Sequence, residues 1–478
     1  MDATEKRVDD RRQQLTSRLA PWGQEHLLKF WNELSSAAQD ELAAEIEAID
    51  FALIKRLAHG DEHVDGAAAL LKRAKPPAAF RLDASQNSIP VEEARRAGKA
   101  ALKSGKIGVL LVAGGQGSRL GFEHAKGMFP IGPVSGASLF QILIERIIAV
   151  GKRYGVRVPL CLMTSSATHP ETVEYLDHTQ RFGLPAEDLF IFSQGVMPAV
   201  DEKSGKVLLA EKGHLALSPD GHGGTLAALA SSGGLANLRG RGIEHLFYLQ
   251  IDNPLVRICD PVFLGYHLLT KSQVTTLAVT KRTPEDKVGN LVQVDGKLQI
   301  IEYSEFNKLD ASLIGQQDSR GQLLYWAGNT AVHAFDLKFL EQMAAGAGKL
   351  PFHIAHKKVP FVDPQGDLVQ PRENNALKFE RFIFDLLPAA DTAIVVECNE
   401  ADEFAPVKNA SGSDRDSPET VKAQMIALHT RWLNSAGAKV AAGVPVEVSP
   451  LYALDEQELS RKLPAGRRVD EPTYFHES

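Results

Sequence analysis

Residues 107–121 read IGVLLVAGGQGSRLG, and the reading of the fold starts from that string. Ile107 to Ala113 is a continuous apolar run with β-branched members, bounded afterwards by glycines, which predicts a strand buried on both faces. The glycine-rich turn leads on to a helix. Ser138 with Gln141 three residues later marks the start of that helix, and Leu139, Phe140, Leu143, Ile147 and Ile148 supply its apolar face. A further strand follows at Val158 to Met163, then the turn Thr164-Ser165-Ser166 and a helix opened by Thr168 with Glu171. Leu246 to Ile251, which ends at Asp252, and Val274 to Val279 read as two more strands. Strand, loop and helix in repetition predict a parallel sheet. Open sheets of this kind bind ligands outside the carboxyl ends of their strands, which directs attention to Gly114 and Asp252.

Working outward, Leu27, Phe30, Trp31 and Leu34, then Leu42, Ile46 and Ile49, recur at helical spacing and predict an amphipathic helical pair over Gly23 to Phe51. Ser36 with Gln39 is the expected start of its second helix. Lys75 to Pro90, polar and proline-containing, reads as a surface linker. After Lys281 the alternation in Gly289 to Val294 and Leu298 to Tyr303, with Ala327 to Phe335, suggests antiparallel additions. Asn409 to Pro418 reads as an exposed loop before a final helix, Val421 to Leu433. At roughly 100–200 residues per domain, 478 residues suffice for two to four domains. The expected division is a helical N-terminal region over 1–100, an α/β core over 101–388 and a C-terminal domain over 389–478.

The composition is that of a globular protein, with 44% hydrophobic and 24% charged residues, which excludes disordered, collagenous and miniprotein classes. With 53 Lys and Arg against 60 Asp and Glu the net charge is −7, so the chain as a whole does not attract nucleic acid or anionic lipid. Any phosphate site must be a local cluster of cations. Cys161, Cys259 and Cys398 form no C-x-x-C pair and read as reduced buried thiols of a cytoplasmic protein. Met1 to Gln13 is highly charged, without the apolar core of a signal peptide or anchor, and no run reaches the roughly 18 apolar residues of a spanning helix. Neither a nucleic-acid nor a membrane partner is expected, and the oligomeric state is left open.

The loop after the first strand carries Arg119 and, shortly beyond, Lys126. Glycines there let backbone N–H groups approach an anion closely, so the loop is either a polyphosphate cradle or a tight turn with solvated charges. It contains no G-x-x-x-x-G-K-[ST] string, which argues against a P-loop ATPase or kinase. Gly115-Gln-Gly117-Ser-Arg-Leu120 lacks the third glycine of a dinucleotide fingerprint, and Ser138 to Gln141 stands where a ribose-binding acid belongs. A nicotinamide-dependent oxidoreductase is therefore disfavoured.

The string Leu110 to Gly121 with Ala125-Lys-Gly-Met128 resembles the eukaryotic-type UDP-sugar pyrophosphorylase family. The likeness continues through Met163-Thr-Ser165, Ser218-Pro-Asp-Gly-His-Gly-Gly224, Ile251-Asp-Asn253, Ile301-Glu-Tyr-Ser-Glu305, Ala327-Gly-Asn329 and Asp402 to Asn409, and reaches back to Gly23–Glu33. Within the family it is nearest to the N-acetylglucosamine enzymes. The resemblance implies a Rossmann-like, GT-A-like nucleotidyltransferase core with a mixed, mostly parallel sheet. It also implies a reaction in which UTP and a sugar 1-phosphate, most simply N-acetylglucosamine 1-phosphate, give a UDP-sugar and pyrophosphate.

It further implies Mg²⁺ on Asp252; Asn253, read by itself, only shapes the turn that follows. Arg119 would lie on the β- and γ-phosphates, Lys126 on the α-phosphate, and Lys408 would reach the bridging phosphates. Gly114, Gly115, Gln194, Gly221 and His222 are the implied nucleotide-binding positions, and Gly289, Glu302, Asn329 and Phe382 the sugar-binding ones. Phe382 and Phe384 also read as core, and Lys408, by composition alone, as a solvated surface charge.

Two departures from the family pattern stand out. Ala125 precedes Lys126 where the family commonly has proline, and His222 stands where N-acetylhexosamine enzymes usually have asparagine and UDP-glucose enzymes histidine. A UDP-glucose or broad-specificity pyrophosphorylase is the same-reaction alternative. A non-catalytic sugar-nucleotide sensor is the alternative of a different class, against which the intact Arg119, Lys126, Asp252 and Lys408 argue.

Overall fold

The buried run expected at Ile107 to Ala113 forms a strand over Ile107–Val112, all six residues of which are buried. It lies inside an 11-stranded sheet in the computed structural model, which describes residues 3–60, 66–347, 350–464 and 466–477. Across the sheet the order is Ala79–Phe80, Ala393–Glu397, Val274–Thr280, Ala327–Asp336, His245–Gln250, Ile107–Val112, Leu160–Thr164 and Leu189–Ser193. Neighbours run parallel except at Ala327–Asp336, which is antiparallel to the strands on both sides. The expected antiparallel additions are Asn290–Val294 and Lys297–Ile301, which pair with each other, and Asn290 also pairs with Gly328. Burying each large apolar side chain of such strands is worth roughly 1.5–3 kcal/mol, so the sheet carries much of the stability of this part of the chain.

The helix Leu139–Tyr154 starts where expected, with Ser138 Oγ accepting from the Gln141 N–H at 3.1 Å. Thr168 does not act in this way. Its hydroxyl turns back to accept from the Ser165 N–H at 3.1 Å, and the helix His169–His178 begins without a side-chain cap. In the N-terminal region the cap is Ser35 rather than Ser36, and only the second half of the expected helical pair is α-helix, Ser36–Ala48. The first half is a pair of short 3₁₀ turns, Glu25–Leu28 and Trp31–Glu33. The physical reason lies just before them. Gly23 is left-handed (φ 66°), and the Gln24 side chain is bonded to Val207 N at 2.9 Å and Gly205 O at 3.2 Å, which turns the chain aside before a helix can run.

Lys75 to Pro90 is not a plain linker. It contributes the edge strand Ala79–Phe80, held because Phe80 stacks on Tyr266 at 3.9 Å and Arg81 lies 3.6 Å over the Trp326 ring while bonding Glu397 at 2.7 Å. The expected final helix extends over Pro418–Ser435 but is not final. The parallel pairs Lys439–Val440 with Arg468–Val469 and Val446–Val448 with Thr473–Phe475 follow, with the helix Glu456–Lys462 between them. Strands of two or three residues are too short for periodicity to register.

The chain divides into two compact units, and neither is a continuous stretch, in contrast to the three consecutive regions expected. The smaller comprises 1–65, 194–225 and 350–383, and its core joins Trp31, Leu42 and Ile46 to Val200, Leu215 and Phe379. The larger comprises 66–193, 226–349 and 384–478 and contains the main sheet. Among the described residues no helix is long and apolar enough to cross a membrane.

Candidate active site

In the larger unit, the strands Ile107–Val112 and His245–Gln250 run parallel with Val112 beside Gln250, so the glycine loop and Asp252 leave the sheet at the same end. The loop is folded tightly on itself. Gly117 donates to His124 O at 2.8 Å, and a Cβ at Gly117 would meet Phe122 O at 2.7 Å, so no larger residue fits without a shift. Lys126 donates its backbone N–H to Gly115 O at 3.1 Å, which sets the lysine beside the glycines. Glu171, from the helix His169–His178, accepts the Ala125 N–H at 2.9 Å with one oxygen and bonds the His124 ring with the other. A proline at 125 could not make the first of these bonds. The rigidity that a proline would lend this loop is supplied here by a carboxylate reaching across from a neighbouring helix.

Lys126 is half-buried at the centre of a charge cluster. Burial is the main influence that pushes its ammonium below the ordinary value; Asp252 opposes that, and Lys408 and Arg119 add to it. Residues separated by nearly 300 positions in sequence thus share one electrostatic neighbourhood. Lys408 Nζ lies 3.9 Å from Asp252 Oδ2, outside hydrogen-bond range, with the Lys408 side chain 39% exposed. An ion pair so loose and so solvated is worth about 1 kcal/mol or less, so the ammonium can leave Asp252 for a phosphate oxygen at little cost.

The segment that carries Lys408 is, by contrast, firmly seated. Phe404, Ala405 and Val407 are buried, Val407 N–H donates to Asp252 O at 2.8 Å, and Lys408 and Asn409 both donate to Asp416 O, at 2.8 and 3.0 Å. Asp416 holds a left-handed backbone conformation (φ 56°) to receive both bonds. Burial raises its carboxyl above the usual range, Lys408 pulls it down and Asp252 pushes it up, so it belongs to the same neighbourhood. Asn253, 3% exposed, bonds Glu403 O, Ala405 N and Leu255 N. Asn253 shapes the turn as expected, through Leu255 N–H, while its bonds to Glu403 and Ala405 and the parts of Glu171 and Asp416 are what the sequence does not disclose.

The donor set fits Mg²⁺. Among the described residues no three His, Cys, Asp or Glu gather to form a metal cage. Asp252 with Asp416 nearby offers one or two carboxylates, and Mg²⁺ favours such a set completed by phosphate oxygens and water.

Gly289, Glu302 and Asn329 also come together in the larger unit, all half-buried. Asn329 N–H donates to Gly289 O at 2.8 Å, and a Cβ at Gly289 would stand 3.4 Å from Glu302 Oε1 and 3.7 Å from Asn329 Cβ. Behind them Lys281, 4% exposed, bonds Asn290 Oδ1, and its ammonium lies 4.5 Å over the Phe306 ring. Burial drives Lys281 down to about 8, against the opposing charges of Asp286 and Glu285. Asn290 in turn donates to Ile301 O at 3.3 Å, next to Glu302.

Gln194, Gly221, His222 and Phe382 lie in the smaller unit. There the loop Pro219–Gly224 wraps the Arg381 backbone. Arg381 N–H donates to Asp220 O and Gly223 N–H to Arg381 O, both at 2.8 Å, and the Arg381 guanidinium bonds the buried Asp220 carboxylate. Gly221 is left-handed (φ 81°), and a Cβ on it would lie 2.3 Å from Arg381 O. His222 Nδ1 accepts the Ile383 N–H at 3.2 Å, and burial, aided by His353, pushes the imidazole down to about 4, so the ring is neutral at physiological pH with its proton on Nε2. Phe382 and Phe384 part company: Phe384 is buried core, whereas Phe382 is half-exposed, its ring 5.3 Å from His222 and 4.5 Å from His353.

Comparison with known proteins accords with this arrangement. The family model described as UTP–glucose-1-phosphate uridylyltransferase matches residues 68–445. UDP-N-acetylglucosamine diphosphorylase 2 of Arabidopsis thaliana is 37% identical, covering 94% of this chain and 91% of its own. The UDP-N-acetylglucosamine pyrophosphorylase of Saccharomyces cerevisiae is 34% identical, covering 92% and 94%. Among solved structures, the uridine diphosphate N-acetylglucosamine pyrophosphorylase from Trypanosoma brucei in complex with inhibitor superposes with a TM-score of 0.79 at 27% identity, over 96% of this chain and 98% of that one. The chain belongs to the UTP–glucose-1-phosphate uridylyltransferase family, the UDP-sugar pyrophosphorylases.

Proposed function

We propose that this uridylyltransferase joins UTP to N-acetylglucosamine 1-phosphate, releasing pyrophosphate and UDP-N-acetylglucosamine. A phosphate oxygen of the sugar 1-phosphate attacks the α-phosphorus of UTP; the new P–O bond forms as the bond to the β-phosphate oxygen breaks, and pyrophosphate carries away the displaced charge. Such chemistry asks the protein for positioning and electrostatic stabilisation rather than a covalent nucleophile. The observation that carries the reading is the gathering of Arg119, Lys126 and Lys408 around Asp252 at the carboxyl ends of parallel strands.

Arg119, exposed at the loop, suits bidentate contact with the departing β- and γ-phosphates. Lys126, already disfavoured as a cation by burial and by like charges, gains from an approaching α-phosphate. Lys408 supplies a movable point charge to the bridging phosphates. Asp252 would hold Mg²⁺, which when bound neutralises charge on the phosphate oxygens. Within the larger unit, Gly114 and Gly115 are assigned to uracil, whose edge backbone groups can read, and Gly289, Glu302 and Asn329 to the sugar. The reduced, buried thiols suit a cytoplasmic setting.

The choice of sugar is supported by relatives named for N-acetylglucosamine that align over nine-tenths of their length. Glucose 1-phosphate is the second reading, favoured by His222. The test is pyrophosphate release from UTP and Mg²⁺ with a panel of sugar 1-phosphates. N-Acetylglucosamine 1-phosphate is expected to give the highest kcat/KM. A preference for glucose 1-phosphate overturns the substrate, and no release with any sugar overturns the enzyme.

A further inference from the structure

We infer that Asn253 is a positioning residue for Lys408, its side-chain amide docking the chain from Glu403 to Val407 against the end of the sheet. The inference rests on the phosphate role given to Lys408 above.

Asn253 follows Asp252 directly, and its side chain is buried. Its Nδ2 donates to Glu403 O at 2.7 Å, and its Oδ1 accepts the Ala405 N–H at 3.1 Å. A residue in a parallel ladder makes the same pair of bonds with its own N–H and C=O, donating to one residue's carbonyl and accepting from the amide two positions further on. Two residues beyond Ala405, the Val407 N–H donates to the main-chain oxygen of Asp252 at 2.8 Å. Oδ1 also accepts the Leu255 N–H at 3.1 Å, which fixes the rotamer of the amide.

Asp252 and Asn253 thus hold alternate residues, Glu403 at the end of the short helix Glu400–Glu403 and Ala405 and Val407 beyond it, and the next residue along is Lys408. Its ammonium makes only loose contacts, 3.9 Å from Asp252 and 5.7 Å from the centroid of the Phe404 ring, a residue of the same docked segment, so the placement of that segment decides what the ammonium can reach. Only asparagine does this work in place. Aspartate of the same size keeps the acceptor, loses the donor and sets a charge against Glu403 O, and leucine keeps the volume alone.

The experiment combines steady-state kinetics with amide hydrogen exchange on the full chain for Asn253→Ala, Asn253→Asp, Lys408→Ala and the double variant Asn253→Ala/Lys408→Ala. Asn253→Ala is expected to lower kcat about 10–100-fold, the loss that a displacement of about 1 Å produces, with the KM for UTP changed less. Asn253→Asp, which loses the donor to Glu403 O, should lower kcat over the same range. In the double variant the loss should equal that of Lys408→Ala alone, and exchange at Ala405 and Val407 should rise at least tenfold in Asn253→Ala with Val109 to Leu111 unchanged.

Losses that multiply in the double variant, or a kcat equal to wild type in Asn253→Ala, overturn the inference. Full activity in Lys408→Ala overturns the role of Lys408 instead, and the exchange rates still report whether Asn253 docks the segment. If Asn253→Ala fails to fold, Asn253→Asp carries the same comparisons.

Discussion

Two lysines of the larger unit make opposite bargains with their surroundings. Lys281 is almost wholly buried, with its ammonium committed to Asn290 Oδ1 and the Phe306 ring. Lys408 is seated through its backbone and leaves its ammonium with looser partners, 3.9 Å from the Asp252 carboxylate and 5.7 Å from the Phe404 ring centroid. The first is rigid in its charge, the second rigid only up to its charge. A cation that must meet a phosphate and let it go is better left loosely paired, because a tight pair has to be broken before each encounter. A cation that holds Gly289, Glu302 and Asn329 in register gains from being tied.

The contrast breaks most readily at Lys408. Lys408→Ala is expected to lower kcat by about 10²–10³-fold, the usual scale for removing one preorganised stabiliser, while the melting temperature stays near wild type. A full rate, or a large fall in melting temperature, would erase the distinction. Lys281→Met is the mirror case. It leaves Asn290 Oδ1 buried without its donor, at a cost of about 1–3 kcal/mol in denaturant unfolding, and kcat at saturating substrate should fall less than tenfold. A catalytic collapse at unchanged stability would show that the two lysines do the same kind of work.

The pH dependence sharpens the comparison further. In the folded chain Lys281 loses its proton near pH 8, whereas in the unfolded chain it keeps it to about 10.4. Between those values the unfolded state binds more protons, so this residue's contribution to stability rises with pH, at most about 1.4 kcal/mol per unit. Wild type should therefore gain on Lys281→Met between pH 8 and pH 10, measured by denaturant unfolding at each pH, and parallel curves would refute the burial argument. The smallest expected effect is at Glu171. Its removal to alanine loosens the turn before Lys126 and should cost a few-fold in kcat/KM for UTP, with little change for the sugar phosphate.

How far the arrangement was legible depended on the distance over which its causes act. The strand Ile107–Val112 and the start of the helix at Ser138 depend on neighbours a few residues away, and periodicity with capping chemistry revealed both. Lys408 looked like solvated charge by composition, and only the family motif around it pointed to phosphate. Asn253 acts on a carbonyl 150 positions along the chain, and Glu171 on an N–H 46 positions back, so neither has a local pattern to read. Thr168 and Ser36 had the right local chemistry and were outcompeted, one by a bond to Ser165 and the other by the serine before it. The N-terminal turns failed for a similar reason, since Gln24 bonds to Gly205 and Val207, far along the chain.

The reversed strand Ala327–Asp336 has a consequence for how such enzymes change. Val274–Thr280 runs toward the carboxyl end of the sheet, and its antiparallel neighbour begins there, with Thr280 opposite Ala327. The chain between leaves and re-enters at adjacent points, joined by the Lys281 N–H to Trp326 O bond at 2.8 Å. Everything from Lys281 to Trp326, including Gly289 and Glu302, is thus an excursion with its two ends already sewn together. Such a piece can lengthen or shorten at its far end while the two strands that frame it keep their register, and if Gly289 and Glu302 meet the sugar as proposed, changes there would bear on the sugar more than on the phosphates.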